Sequence, residues 1–154
     1  REPTDLAAIV RTVAATLAAS QPERVVEMVC PDTLLVTADP RLLQVIVTNL
    51  VGNAWKFTGN VAHARIEVGE IQCDGARAFY VRDNGAGFAM AHAANLFGPF
   101  QRMHTVREFA GTGIGLATAQ RIVHRHGGRI WAESAVDAGA TFYFTLESAE
   151  DLRT

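Results

Sequence analysis

The sequence predicts an α+β fold, a two-layer sandwich with helices on one face of a mixed, mainly antiparallel sheet. Three stretches carry apolar residues at helical spacing, shorter runs alternate apolar and polar residues in pairs around turn residues, and helices and hairpins are interspersed along the chain. With 154 residues, the chain suits one compact domain over residues 1–154 and leaves little room for a second.

Thr4 or Asp5 can cap a first helix, whose Leu6, Ile9, Val10, Val13 and Leu17 share a stripe and which Ser20-Gln21-Pro22 ends. Arg24 to Val29 and Thr33 to Thr37 read as two short strands joined at Pro31-Asp32. Asp39-Pro40 starts a second helix, with Asp as N-cap and Pro at the first helical position, and the pattern runs to about Phe57. Ala64 to Gln72 and Ala78 to Asp83 follow as strands around Asp74-Gly75.

Residues 84–112 hold several glycines and one short amphipathic piece, Met90 to Phe97, so a long mobile loop is expected there. A helix resumes from Gly113 to His126, with Leu116, Ala119, Ile122 and Val123 on one stripe and Gly127-Gly128 as terminator. Arg129 to Ser134 and Ala140 to Leu146 close the pattern as strands around Asp137-Ala138-Gly139.

The hydrophobic fraction of 49%, the charged fraction of 19% and the net charge of −2 fit a globular domain. No cluster of Lys and Arg is large enough to neutralise a phosphate backbone, so no nucleic-acid partner is expected. No apolar run reaches the roughly 18 residues of a membrane helix, and direct membrane contact is not expected. Cys30 and Cys73 lack zinc or redox spacing and read as small buried hydrophobes, at home in a reducing cytoplasm.

Three constellations carry chemistry. On the second helix Asn49, Asn53 and Lys56 fall at i, i+4 and i+7, opposite Leu43, Ile46, Val47, Leu50, Val51 and Ala54. A neutral amide oxygen suits Mg²⁺, and a nearby ammonium suits the phosphates that share the metal; a plain solvated face is the alternative. In the strand ending at Asp83, alternation puts the carboxylate on the side of Phe79 and Val81, toward the interior, where it needs a donor. Gly85 and Gly87 follow, where backbone can approach a flat ligand, and an adenine amine would satisfy the carboxylate; a capping Asp in a glycine turn is the alternative. Lastly Gly111-Thr112-Gly113-Ile114-Gly115-Leu116 opens the third helix with free N–H groups that can hold phosphate. Neither a dinucleotide fingerprint nor a P-loop is present.

In this order the constellations resemble the ATP-binding domains of two-component histidine kinases, in the superfamily that includes gyrase and mismatch-repair ATPases, over nearly the whole chain. The resemblance implies the Bergerat fold with a mobile ATP lid. Asn49 through Thr58 looks like the N box, in which Asn53 would hold Mg²⁺ and Lys56 would reach phosphate, with Phe57 beside them. Asp83 through Gly87 is similar to the G1 box, whose Asp binds the adenine amine. Leu96 through Arg102 resembles the F box of the lid, with Phe97, Phe100 and a phosphate-seeking Arg102, and Gly111 to Leu116 looks like the G2 box. Gly139-Ala140-Thr141 matches a late Gly-x-Thr, in which Thr141 would support the adenine-binding Asp83. The run from Phe100 through Glu133 is similar to phytochrome-like and PAS-linked kinases.

Hydrolytic members of the superfamily carry a Glu four residues before the Mg²⁺-binding Asn, where this chain has Asn49. An amide cannot act as that base, which favours phosphoryl transfer to a protein acceptor. The family's acceptor His is followed by Glu or Asp, and none of His63, His92, His104, His124 and His126 is. The resemblance therefore implies a piece of a larger cytoplasmic or membrane-anchored kinase, largely monomeric by itself. Its partners would be a dimerisation domain bearing the acceptor histidine and a downstream response regulator. Two other readings share the pocket: a serine kinase of the anti-sigma-factor type, and a non-catalytic nucleotide-sensing module.

Overall fold

The computed structural model describes residues 2–73, 75–86, 112–134 and 138–146. Its strands are β1 (Glu2–Asp5), β2 (Val26–Val29), β3 (Leu35–Ala38), β4 (Ala64–Cys73), β5 (Ala76–Asp83), β6 (Ile130–Ser134) and β7 (Ala140–Phe144). Its helices are α1 (Leu6–Ser20), α2 (Pro40–Phe57) and α3 (Thr112–Arg125). Two of the helix starts are the predicted caps: Asp5 accepts from the Ala7 N–H at 3.0 Å and Asp39 from the Arg41 N–H at 2.9 Å. Those N–H groups hold both carboxyls below the usual range, the Leu34 N–H contributing most at Asp5.

The main sheet has the order β2-β4-β5-β7-β6, antiparallel except for the parallel pair β2 and β4. This is the α+β sandwich read from the sequence, with two differences, in strand pairing and in one added strand. The two strands expected to be joined at Pro31-Asp32 do not pair. β2 lies beside β4, whereas β3 pairs antiparallel with β1, a strand too short and too polar to stand out from the helix that follows it. Asp5 explains the separation, because its carboxylate caps α1 and also accepts from the Leu34 N–H at 2.9 Å, tying the approach to β3 to the start of α1.

Alternation along the strands sends Ile66, Val68, Phe79, Val81, Phe142 and Phe144 to one side, where all are buried in a single core. α2 supplies Leu43, Ile46, Val47, Leu50 and Val51 to that core, packs on β4 and β5, and is itself packed by α1 and α3. Each large side chain so buried contributes about 1.5–3 kcal/mol. The opposite side of the sheet carries Tyr80, Trp131 and Tyr143, with Trp131 stacked on Tyr143 at 5.2 Å. The expected loop from residue 87 to 111, with its amphipathic piece Met90 to Phe97, lies outside the described residues.

Candidate functional site

The last two turns of α2 and the end of β5 meet. Asn53 faces inward and is 6% exposed, Phe57 is buried, Asn49 is half-buried and Lys56 is exposed. The chain leaving β5 is bonded to the end of this helix, the Ala86 N–H donating to the Phe57 carbonyl at 3.0 Å. Gly85 passes so close to the same carbonyl that a Cβ would stand 2.3 Å from its oxygen. The glycine expected to make room for a ligand thus makes room for the helix.

Asp83 sits between these elements, 5% exposed, as the alternation of β5 requires. Its Oδ1 accepts from the Gly85 N–H at 2.8 Å, while its Oδ2 is buried with no hydrogen-bond partner among the described residues. Burial pushes its pKa up to about 6, opposed by the N–H groups of Gly85 and Ala140. The Asn53 Nδ2 is likewise buried and without a partner among the described residues. Unsatisfied buried polar atoms cost roughly 1–3 kcal/mol each, so these two leave polar bonding capacity open at one junction, as does the Trp55 Nε1 on the same helix.

Thr141 is not where the sequence reading put it. Ala140 is the residue opposite Asp83 in the β5–β7 ladder, and Thr141 is opposite Arg82. Successive strand residues point to opposite faces, so the Thr141 hydroxyl lies on the far side of the sheet, accepting from Arg82 Nε at 3.3 Å. Support for Asp83 from β7 comes instead from the Ala140 backbone. Gly139, at φ +82°, lets that strand begin against Asp83, since a Cβ there would stand 2.2 Å from the Asp83 carbonyl oxygen. The burial of Phe142 and Phe144 was the available signal, because it assigns Ala140 to the inner face and Thr141 to the outer.

Of the remaining expected residues, Thr112, Gly113, Ile114, Gly115 and Leu116 form the first turns of α3. Gly87, Phe97, Phe100, Arg102 and Gly111 lie outside the described residues. Among the described residues no group of His, Cys, Asp and Glu could form a metal site by itself. His126 is buried, its Nδ1 2.9 Å from the Ile122 carbonyl at the end of α3.

Asn84 has a role in the turn after β5 that no spacing or motif in the sequence signals. Its Oδ1 accepts from the Arg65 N–H at 2.9 Å and its Nδ2 donates to the His63 carbonyl at 2.8 Å, so it fastens the turn after β5 to the start of β4.

A family model described as "Histidine kinase-, DNA gyrase B-, and HSP90-like ATPase" matches residues 38–150, which include α2, β5 and the start of α3. The chain belongs to this ATPase family. Within it, the chain is 42% identical over 111 residues to "Cyanobacterial phytochrome A" of Nostoc sp. (strain PCC 7120 / SAG 25.82 / UTEX 2576), covering 72% of this chain and 14% of that relative. The chain thus spans a small part of the length of the curated relatives it matches. Its fold is that of histidine kinase catalytic domains. A "Mycobacterial sensor histidine kinase MprB" structure superposes with a TM-score of 0.76 at 23% identity, over 94% of this chain and 97% of that one. A structure of "ShkA full-length in complex with AMPPNP" superposes with a TM-score of 0.72 at 28% identity, over 96% of this chain and 32% of that one. Among the described residues no helix is long and apolar enough to cross a membrane.

Proposed function

We propose that residues 1–154 form the catalytic domain of a two-component sensor histidine kinase, which binds Mg-ATP and transfers its γ-phosphoryl group to a histidine on a separate dimerisation domain. A response regulator is the next acceptor. The observation that carries this reading is the buried Oδ2 of Asp83, without a partner among the described residues, beside an Oδ1 already fixed by Gly85. A carboxylate with one oxygen held and one open fits a flat base that offers an N–H donor, and adenine offers its exocyclic amine.

At the other end of the site, the amide of Asn53 retains unsatisfied bonding capacity in a buried position. Mg²⁺ keeps several waters and takes one or two protein oxygens plus substrate phosphates, so a single amide, turned to present its oxygen, meets its needs. When bound, the metal would neutralise charge on the transferring phosphates. Lys56, exposed one turn further along α2, can reach the same phosphates, and Asn49 lies one turn back on the same face, with Phe57 behind. The N-terminal turns of α3, from Thr112 through Leu116, offer N–H groups to the phosphate chain, and Gly111 would extend that site from the preceding position in the sequence. Phe97, Phe100 and Arg102 would close over the nucleotide, and Arg102 would balance charge on the γ-phosphate.

No general base is required of this chain, because the acceptor imidazole is itself the nucleophile and catalysis rests on positioning and charge neutralisation. The AMPPNP complex of the ShkA neighbour supports nucleotide binding on this fold. Titration calorimetry of ATP with and without Mg²⁺, on wild type and Asp83→Asn, tests the reading, followed by phosphoryl transfer to an added acceptor domain. Binding that depends on Asp83 and responds to Mg²⁺ is expected. A folded wild type that binds no nucleotide would overturn it, and binding without transfer would leave only a nucleotide-sensing module.

A further inference from the structure

The β4–β5 ladder makes its last backbone pairing at Ile66 and Asp83, after which the chain turns away toward α2. At the next step the side chain of Asn84 takes over from the backbone. Its amide accepts from the Arg65 N–H at 2.9 Å and donates to the His63 carbonyl at 2.8 Å, matching the strand's donor and acceptor as a peptide group would. Asn84 is exposed, so these bonds are not a demand of burial.

The three residues after Asp83 are each anchored differently. Asn84 grips the start of β4, Gly85 donates its N–H to Asp83 Oδ1 at 2.8 Å, and Ala86 donates to Phe57 at the end of α2. The orientation of the Asp83 carboxylate is therefore set by where the Gly85 N–H is held, and Asn84 is the residue immediately between them. On the other side Gly139 passes so near that a Cβ on it would stand 2.2 Å from the Asp83 carbonyl oxygen and 3.1 Å from the Asn84 Cα, leaving the turn little freedom to slide that way.

We infer that Asn84 is a positioning residue for base recognition: by fastening the turn to β4 it holds the Gly85 N–H on Asp83 Oδ1 and keeps Oδ2 aimed at the base. The inference rests on the proposed role of Asp83. Few replacements can do the same. Asp keeps an acceptor for the Arg65 N–H but loses the donor to His63, Ser offers too short a reach for both, and Ala removes both bonds.

Base discrimination provides the test. ATP and inosine triphosphate share sugar and phosphates, and differ in that inosine carries an oxo group in place of the exocyclic amine. Their dissociation constants are measured for wild type, Asp83→Asn, Asn84→Ala and Asn84→Asp, with melting temperatures to establish that each variant is folded. Wild type is expected to prefer ATP at least about tenfold, as sites built to bond a polar substrate group do. Asn84→Ala is expected to lower ATP affinity while moving inosine triphosphate less than about twofold, so that the preference falls toward unity; Asn84→Asp falls between. A merely structural role would weaken both nucleotides in proportion. Proportional weakening, or an unchanged preference in both Asn84 variants, overturns the inference while leaving Asp83 intact as the base reader. A wild type without preference, matched by Asp83→Asn, overturns the reading of Asp83 and this inference with it.

Discussion

Gly85 lies against the carbonyl oxygen of Phe57 so closely that a Cβ on it would stand 2.3 Å from that oxygen and 3.0 Å from Asp83 Oδ1. The obstacle is backbone at the end of a packed helix, which cannot swing aside as a side chain could. This contact fixes the distance between the helix bearing Asn53 and Lys56 and the strand bearing Asp83.

Gly85→Ala is therefore expected to push the turn off α2, costing about 1–3 kcal/mol of stability. The same displacement weakens ATP binding. Urea unfolding and calorimetry on one variant check both parts, and an alanine variant with wild-type values in both would show that the junction yields freely.

Asp83 makes stability and affinity respond to pH with opposite sign. Its folded pKa of about 6 stands above the unfolded value of about 4, so the folded form holds the proton more tightly. The resulting stabilisation is complete below about pH 4 and is lost as pH rises through about 6. Asp83→Asn, which cannot ionise, is expected to gain about 1–3 kcal/mol on wild type between pH 4 and pH 7. ATP affinity of wild type should instead rise as pH climbs through 6, because ionisation clears the proton from the open oxygen. Unfolding and binding curves at stepped pH read both trends, and a flat wild-type difference would contradict them.

Asn53 illustrates stability given up for a site. Because its Nδ2 is buried and has no partner among the described residues, Asn53→Ala is expected to change stability by less than about 1 kcal/mol, well short of the usual loss at a buried position. Mg-ATP affinity should nonetheless fall at least about tenfold and lose its dependence on Mg²⁺. A large stability loss with unchanged affinity would make Asn53 a structural residue.

Arg24 secures the same helix from below. It donates to the Trp55 carbonyl at 2.5 Å and to Thr58 Oγ1 at 3.0 Å, and its guanidinium lies 5.4 Å from the Trp55 ring centroid. A cation bonded to the last turn of a helix also complements its dipole, so Arg24→Ala is expected to cost about 1–3 kcal/mol. Thermal melting checks this, and Arg24→Lys, which keeps the charge without the paired bonds, should recover only part of the loss.

The sequence by itself determined the three helices, every described strand except β1, and the inward turn of Asp83. Helical spacing located α2 from Pro40 to Phe57, the Asp39-Pro40 pair marked its start, and alternation in β5 turned Asp83 inward. These are local properties, written in spacing and caps. The tertiary structure decided what lay between elements. It separated β2 from β3, because pairing partners depend on contacts far along the chain, and it found β1 only opposite β3. It moved Thr141 to the outer face, because a ladder's register fixes which of two neighbours meets Asp83. It showed that Gly85 serves the helix and that Asn84 completes the β4 edge, roles that exist only once separate segments are brought within hydrogen-bonding distance.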